Sequence, residues 1–273
     1  MTLTSLSRTL TLCALALSPL PAAAQGQVSN PVLSAEILPG WTTERGTRMA
    51  ALHLVLAPGW HTYWRVPGEA GIAPRFDWGQ SQNVANVRAI WPRPQIFDQN
   101  GYRSYGYEDE LMLPIEVTPQ DGAHPMALLG ALAIGVCADT CVPADVAVQG
   151  VLRGAGERDR RITAALDNRA EPGARAGLSR ATCRVEPGDR GAELTLRATV
   201  PSVGQTEDMI VELPGSGYRV TETRTWREGG DLVAQARLRA PRRGDPLVFD
   251  RASLVFTVLS ESQMLVSQGC TGG

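Results

Sequence analysis

The chain has 273 residues, a formal net charge of −2, and 43% hydrophobic against 20% charged residues. That balance lacks the strongly basic face by which nucleic acid is bound, so nucleic acid is excluded as a partner. The length allows one large domain or two modest ones.

The first element is an export signal. Arg8 precedes an apolar run from Leu10 to Leu17, and Pro19, Pro21 and Ala22-Ala23-Ala24 follow, the order of a cleavable signal peptide. The run is well short of the roughly 20 residues that a spanning helix needs. Residues 1–24 are therefore expected to be removed, leaving a mature chain without a transmembrane segment in the periplasm. Cys13 is expected to leave with them, because Leu12 before it lacks the small side chain that lipoprotein processing wants.

Residues 28–152 read as short strands parted by turn chemistry. Apolar runs at 49–56, 111–117 and 126–136 are punctuated by Pro, Gly, Asn and Asp, which predicts an all-β sandwich and not a doubly wound α/β fold. Residues 157–169 are charged, contain Ala and lack Gly and Pro; they predict one surface helix, stopped by Glu171-Pro-Gly, within a connector spanning 153–177. Strand-like segments resume at 192–200, 209–213, 232–238 and 253–259. Period-two alternation there predicts a second, smaller β-sandwich over 178–273.

Without Cys13, four cysteines remain: Cys137, Cys141, Cys183 and Cys270. An even set in an oxidising compartment predicts disulfides. Bonding Cys183 to Cys270 would clamp the first strand of the second domain to its last, and closing so long a loop stabilises more than closing a short one. Cys137-Ala-Asp-Thr-Cys141 would make a weak staple. Its three-residue loop can, however, set the cysteines opposite each other in a hairpin, within disulfide range. Such a pair can open and close without unfolding the sheet, as exchange through a mixed disulfide requires. The alternative is a loop-stiffening bond that never turns over. Asp139 would raise a neighbouring thiol pKa, and no Lys, Arg or His adjoins the pair in sequence to lower one.

No metal ligand is assigned, since His53, His61 and His124 form no ligand pattern with the cysteines; copper(I), which favours thiolate and thioether, stays open on softness and not on spacing. There is no Ser–His–Asp signature, glycine-rich phosphate loop or zinc-hydrolase helix, and no cofactor is expected. The cluster Trp60-His-Thr-Tyr-Trp64 has two readings, a ligand-stacking surface or core. The core reading is preferred, with Trp64, Phe76, Trp78 and Trp91 filling the sandwich and His61 as a hydrogen-bonded structural residue.

Several stretches carry a family resemblance: Gly59-Trp-His-Thr-Tyr-Trp-Arg-Val-Pro-Gly-Glu-Ala-Gly71, Pro74-Arg-Phe-Asp-Trp78, Trp91-Pro-Arg-Pro94, Gly106-Tyr-Glu-Asp-Glu-Leu-Met-Leu-Pro114 and Gly135-Val-Cys-Ala-Asp-Thr-Cys-Val-Pro-Ala144. Together they resemble the N-terminal periplasmic domain of the thiol:disulfide interchange protein DsbD, and more closely its relatives in suppressor-of-copper-sensitivity systems. The resemblance implies an immunoglobulin-like fold in which Cys137 and Cys141 are the redox cysteines. They would take electrons from a thioredoxin-like or membrane-embedded thiol reductase and pass them to periplasmic disulfide oxidoreductases. It also implies an aromatic cap over the pair, sought within residues 97–107 and expected at Tyr102 or Tyr105. The three-residue spacing is shorter than in DsbD itself and like the copper-sensitivity branch. Membrane and thioredoxin-like domains are missing from this chain, so its electron source is expected to be a separate protein. The rival reading is a non-redox binding or assembly module, in copper handling or cytochrome c maturation, whose short disulfide only shapes a loop.

Overall fold

The structure, a computed structural model, describes residues 30–99, 101–188, 191–242 and 249–273. The expected signal peptide and Cys13 lie outside the described residues. Ten strands come first: β1 (Val32–Thr42), β2 (Arg48–Leu56), β3 (His61–Gly68), β4 (Arg75–Asp77), β5 (Val84–Ala89), β6 (Gln95–Gln99), β7 (Tyr102–Glu108), β8 (Glu110–Pro119), β9 (Met126–Cys137) and β10 (Cys141–Leu152). They form two antiparallel sheets, β1-β2-β8-β5 and β10-β9-β3-β7-β6, with β4 added on β9. Between the sheets Leu52, Leu54, Trp64, Leu113, Ile115, Leu128, Leu132 and Val136 are buried together. Phe76, Trp78 and Trp91 pack against the edge of that core while partly exposed.

The α-helix α1 (Arg160–Asp167), the only one among the described residues, follows. Asp159 caps it by accepting from the Arg161 backbone N–H at 2.7 Å, satisfying a donor that has no partner within the helix. The helix is shorter than its charged stretch suggests and is more than a surface feature. Ile162 is buried against Leu38, Trp41, Met49 and Ala51, so α1 covers the outer face of the first sheet.

The remaining strands are β11 (Glu171–Pro172), β12 (Arg180–Gly188), β13 (Gly191–Thr199), β14 (Glu207–Glu212), β15 (Arg219–Glu228), β16 (Asp231–Arg239), β17 (Val255–Ser260), β18 (Met264–Gln268) and β19 (Thr271–Gly272). They make the sheets β11-β18-β17-β14 and β15-β16-β13-β12-β19, closed on Leu194, Leu196, Met209, Leu238 and Phe256. A disulfide joins Cys183 on β12 to Cys270 just before β19, with Cα atoms 5.6 Å apart. The fold class is all-β, one immunoglobulin-like sandwich followed by a second.

The two sandwiches share apolar and charged contacts. Ile210, Leu259 and Met264 join the core cluster of the first. Arg65, at the end of the buried part of β3, grips Glu212 with two nitrogens at 3.1 and 2.8 Å, and Arg103 on β7 bonds the buried carboxylate of Asp208.

Within the first sandwich, Glu116 on β8 accepts from Arg88, Thr47 and Arg45, and these bonds, Arg88 foremost, hold its carboxyl down at about 2 from the usual 4.5. A depressed carboxyl pKa contributes stability that is present above the unfolded value and is lost as pH falls through the folded one. Because Arg45 and Arg88 are largely exposed, the contribution is discounted to about 1–2 kcal/mol. Glu116→Gln is expected to lose that amount at neutral pH and nothing near pH 2, as measured by urea unfolding across this range.

Candidate functional site

The β9–β10 hairpin sets Cys141 directly opposite Cys137 in the ladder. Ala138, Asp139 and Thr140 make the loop, closed by the Ala138 N–H donating to the Thr140 carbonyl at 3.3 Å. The two cysteines are bonded, with Cα atoms 4.0 Å apart. Their surroundings differ: Cys137 is fully buried, whereas Cys141 is exposed.

The strand beside the pair is β3, where successive side chains face opposite sides of the sheet. Trp64 turns into the sandwich core, as does Thr62, whose hydroxyl donates to the Gly135 carbonyl at 2.9 Å. His61 and Tyr63 turn to the other face, where His61 stands opposite Cys137 on β9 and opposite Glu108 on β7. The Tyr63 hydroxyl donates to Cys137 Sγ at 2.8 Å and lies 3.3 Å from Cys141 Sγ.

Two glycines make room for that ring. A Cβ on Gly135 would meet Tyr63 Cδ2 at 3.1 Å and Ile72 Cβ at 2.6 Å, and one on Gly71 would meet Tyr63 Cδ1 at 2.7 Å. The site is thus roofed by the segment carrying Gly71 and Ile72 and by the β6–β7 hairpin. From that hairpin Phe97 stacks on His61 with ring centroids 4.6 Å apart. Burial pushes the Tyr63 hydroxyl above its usual pKa of 10.0, so it stays a donor. Burial also lowers His61 from 6.5, opposed by the charge of Glu108, so the imidazole is neutral at neutral pH.

The two cap candidates, Tyr102 and Tyr105, take different positions. Tyr105 shares the parity of Tyr107 and turns into the core, edge-on to Trp64 and beside Asp208. Tyr102 begins β7 at the turn and is 57% exposed. Phe97, opposed to Ser104 in the β6–β7 ladder, lies on the face that holds His61 and Tyr63. Tyr63 is thus the aromatic in contact with both sulfurs, and Phe97 lies over His61.

His61 also departs from the expected hydrogen-bonded role: its Nε2 is buried without a partner. Sequence adjacency offered the pair no basic neighbour, yet the ladder supplies one from 76 positions away. The signal was present in Trp60-His-Thr-Tyr-Trp64, whose alternation on one strand sends Trp64 to the core and His61 and Tyr63 to the disulfide. Among the described residues, no group of three or more His, Cys, Asp and Glu is placed to hold a metal ion.

Chemically, the arrangement offers one reachable sulfur and one shielded one. A thiolate attacking Cys141 Sγ would expel Cys137 Sγ as the leaving group, beneath the Tyr63 O–H that can bond the new anion.

Comparison with known proteins agrees with this chemistry. Residues 29–152 match the family model of the thiol:disulfide interchange protein DsbD, N-terminal. The crystal structure of the N-terminal periplasmic domain of ScsB from Proteus mirabilis is similar over 88% of this chain and 92% of that one, at 24% identity and a TM-score of 0.61, which shows a shared fold. No protein of curated function matches the sequence. Over residues 29–152, the part that carries Cys137 and Cys141, the chain is similar to the DsbD-type N-terminal thiol:disulfide interchange domain.

Proposed function

We propose that this protein is a periplasmic thiol–disulfide exchange component that relays electrons through Cys137 and Cys141. The donor is a thioredoxin-like or membrane-embedded thiol reductase, and the acceptors are periplasmic disulfide oxidoreductases. The observation that carries the reading is the asymmetry of the bridge: Cys141 is exposed, while Cys137 is buried and bonded by the Tyr63 hydroxyl at 2.8 Å. The donor's thiolate attacks Cys141 Sγ, and the electron pair of the broken bond passes to Cys137 Sγ. The donor's second thiol then resolves the mixed disulfide, leaving the dithiol here and the disulfide on the donor. Reduced Cys141 attacks the acceptor's disulfide in the next half-cycle, and Cys137 resolves that adduct. Residues 28–152 do this work, residues 1–24 direct export, and residues 178–273 form the supporting second domain with its Cys183–Cys270 bridge.

The test is the reduction potential of each bridge, read by equilibration in glutathione or dithiothreitol buffers with thiol trapping and mass spectrometry. The relay expects Cys137–Cys141 to reduce well above the roughly −300 mV below which structural disulfides lie, with Cys183–Cys270 still closed. A pair that stays oxidised until the protein unfolds would overturn it and favour the non-redox binding module.

A further inference from the structure

The chain has three histidines, and the structure treats one of them differently. His53 has both ring nitrogens engaged, by Glu36 at 3.0 Å and Glu110 at 2.8 Å. His124 is held by Asp121 at 2.7 Å. His61 is the buried one, 4% exposed, and its Nε2 has no partner. A buried donor or acceptor left unpaired is destabilising, a penalty that an apolar ring of similar shape would avoid. Such an orphan calls for a role in another state of the site.

That other state is the reduced one. His61 and Cys137 are directly opposed across β3 and β9, so their Cβ atoms share a face about 4.5–5.5 Å apart. Phe97 stacks on one side of the ring and Tyr63 meets it edge-on at 5.4 Å between centroids. The groups facing the imidazole are Cys137 from β9, Glu108 from β7, Tyr63 from its own strand and the uncharged Phe97 from β6. While the disulfide is closed, the sulfur beside the ring is neutral. When it opens, a full negative charge appears at Cys137, in a place where water does not reach it.

We propose that His61 is the proton store of the cysteine pair: on reduction its imidazole takes up a proton and stands as imidazolium beside the Cys137 thiolate. This rests on the reading that the pair cycles between disulfide and dithiol. The two thiols of the electron donor lose two protons as they become a disulfide. One is balanced by protonation of Cys141, and the other by His61, whose charge is then flanked by the Cys137 thiolate and Glu108. The two electrons end on the two sulfurs. In the reverse half-cycle Cys141 gives up its proton as it attacks the acceptor's disulfide, Cys137 resolves the adduct already as a thiolate, and His61 returns its proton to solvent. Burial keeps the ring neutral while the disulfide is closed, so the store is empty when it has to receive.

The test compares the titration of His61 in oxidised and chemically reduced protein, read from its ring C–H resonance by NMR and assigned with His61→Gln. The expected result is a proton affinity at least about tenfold higher in the reduced protein, one pKa unit, while His53 and His124 do not move. In His61→Gln, the Cys137 thiolate, followed by its ultraviolet absorbance, is expected to form about tenfold less readily. His61→Phe, which keeps the stack on Phe97, should show the same loss, separating proton storage from packing. Identical His61 titration in the two redox states, or unchanged Cys137 acidity in both variants, would overturn the proposal. These readouts use a small-molecule reductant and no protein partner. A pair that fails to exchange with thioredoxin-like proteins while His61 still responds would sink the relay alone, and one that exchanges without a response would sink the proton store alone.

Discussion

Cys137→Ser is expected to form a long-lived mixed disulfide through Cys141 when mixed with an oxidised thioredoxin-like protein, and Cys141→Ser is expected to form almost none. Both variants lose relay turnover completely, because each electron pair must pass through both sulfurs. The asymmetry between them is the informative part. Cys141 starts β10 at the exposed end of the hairpin, so its sulfur can be reached in the folded state. Cys137 is enclosed by β3 and by the Tyr63 ring, so a partner reaches it only after local opening. If that opening costs about 3 kcal/mol, exchange at Cys137 is slowed roughly a hundredfold. Non-reducing gels and mass spectrometry of the adducts check this. Equal adduct formation by the two variants would mean that burial does not choose the attacked sulfur.

The fold class could be read from the sequence because half-buried strands announce themselves by alternation. Residues 192–200 and 232–238 mark β13 and β16 to within a residue or two. β3 is harder to read, since Thr62 and Trp64 are buried on one face and His61 and Tyr63 on the other. A strand buried on both sides gives a continuous cluster and not an alternation, which is why residues 60–64 suggested either a core or a surface. The hairpin at Cys137–Cys141 is legible because three loop residues fix a local register. Its neighbours are not, since His61 and Tyr63 reach the sulfurs only through pairing of β3 with β9 across more than 70 residues. Which aromatic of residues 97–107 faces His61 is hidden for a related reason: whether Tyr105 or Phe97 turns toward it depends on the parity of β7 against β3, and one residue of shift exchanges the faces.

Nothing in the local sequence of Arg103 or Asp208 indicates that they meet, yet they link the roof of the site to the second sandwich. Asp208 on β14 is 6% exposed, bonds Arg103 and lies beside Tyr105. Both partners belong to β7, half of the hairpin whose other strand lays Phe97 on His61. Arg103→Met is expected to cost about 3 kcal/mol, because it leaves a buried carboxylate without its counter-charge. The sign of the pH dependence follows from burial, which already raises the Asp208 pKa against the pull of Arg103. Removing Arg103 raises it further. An acid with a raised folded pKa adds stability at pH below its unfolded value and loses it as pH climbs through the folded one. The deficit of Arg103→Met is therefore fullest at neutral pH and shrinks toward pH about 4, near the unfolded carboxyl value. Arg103→Met combined with Asp208→Leu should recover most of it, since an apolar pair leaves no charge to desolvate. Urea unfolding of the three variants at the two pH values measures this. Amide exchange over residues 95–108, with the rate at which a small thiol reduces Cys137–Cys141, shows whether the roof loosens with the clamp. A deficit equal at both pH values, or a double variant no more stable than the single, would mean that the Asp208 charge does not hold the hairpin. Recovery together with a hairpin that protects its amides again would make the second sandwich the element that keeps Phe97 seated over His61.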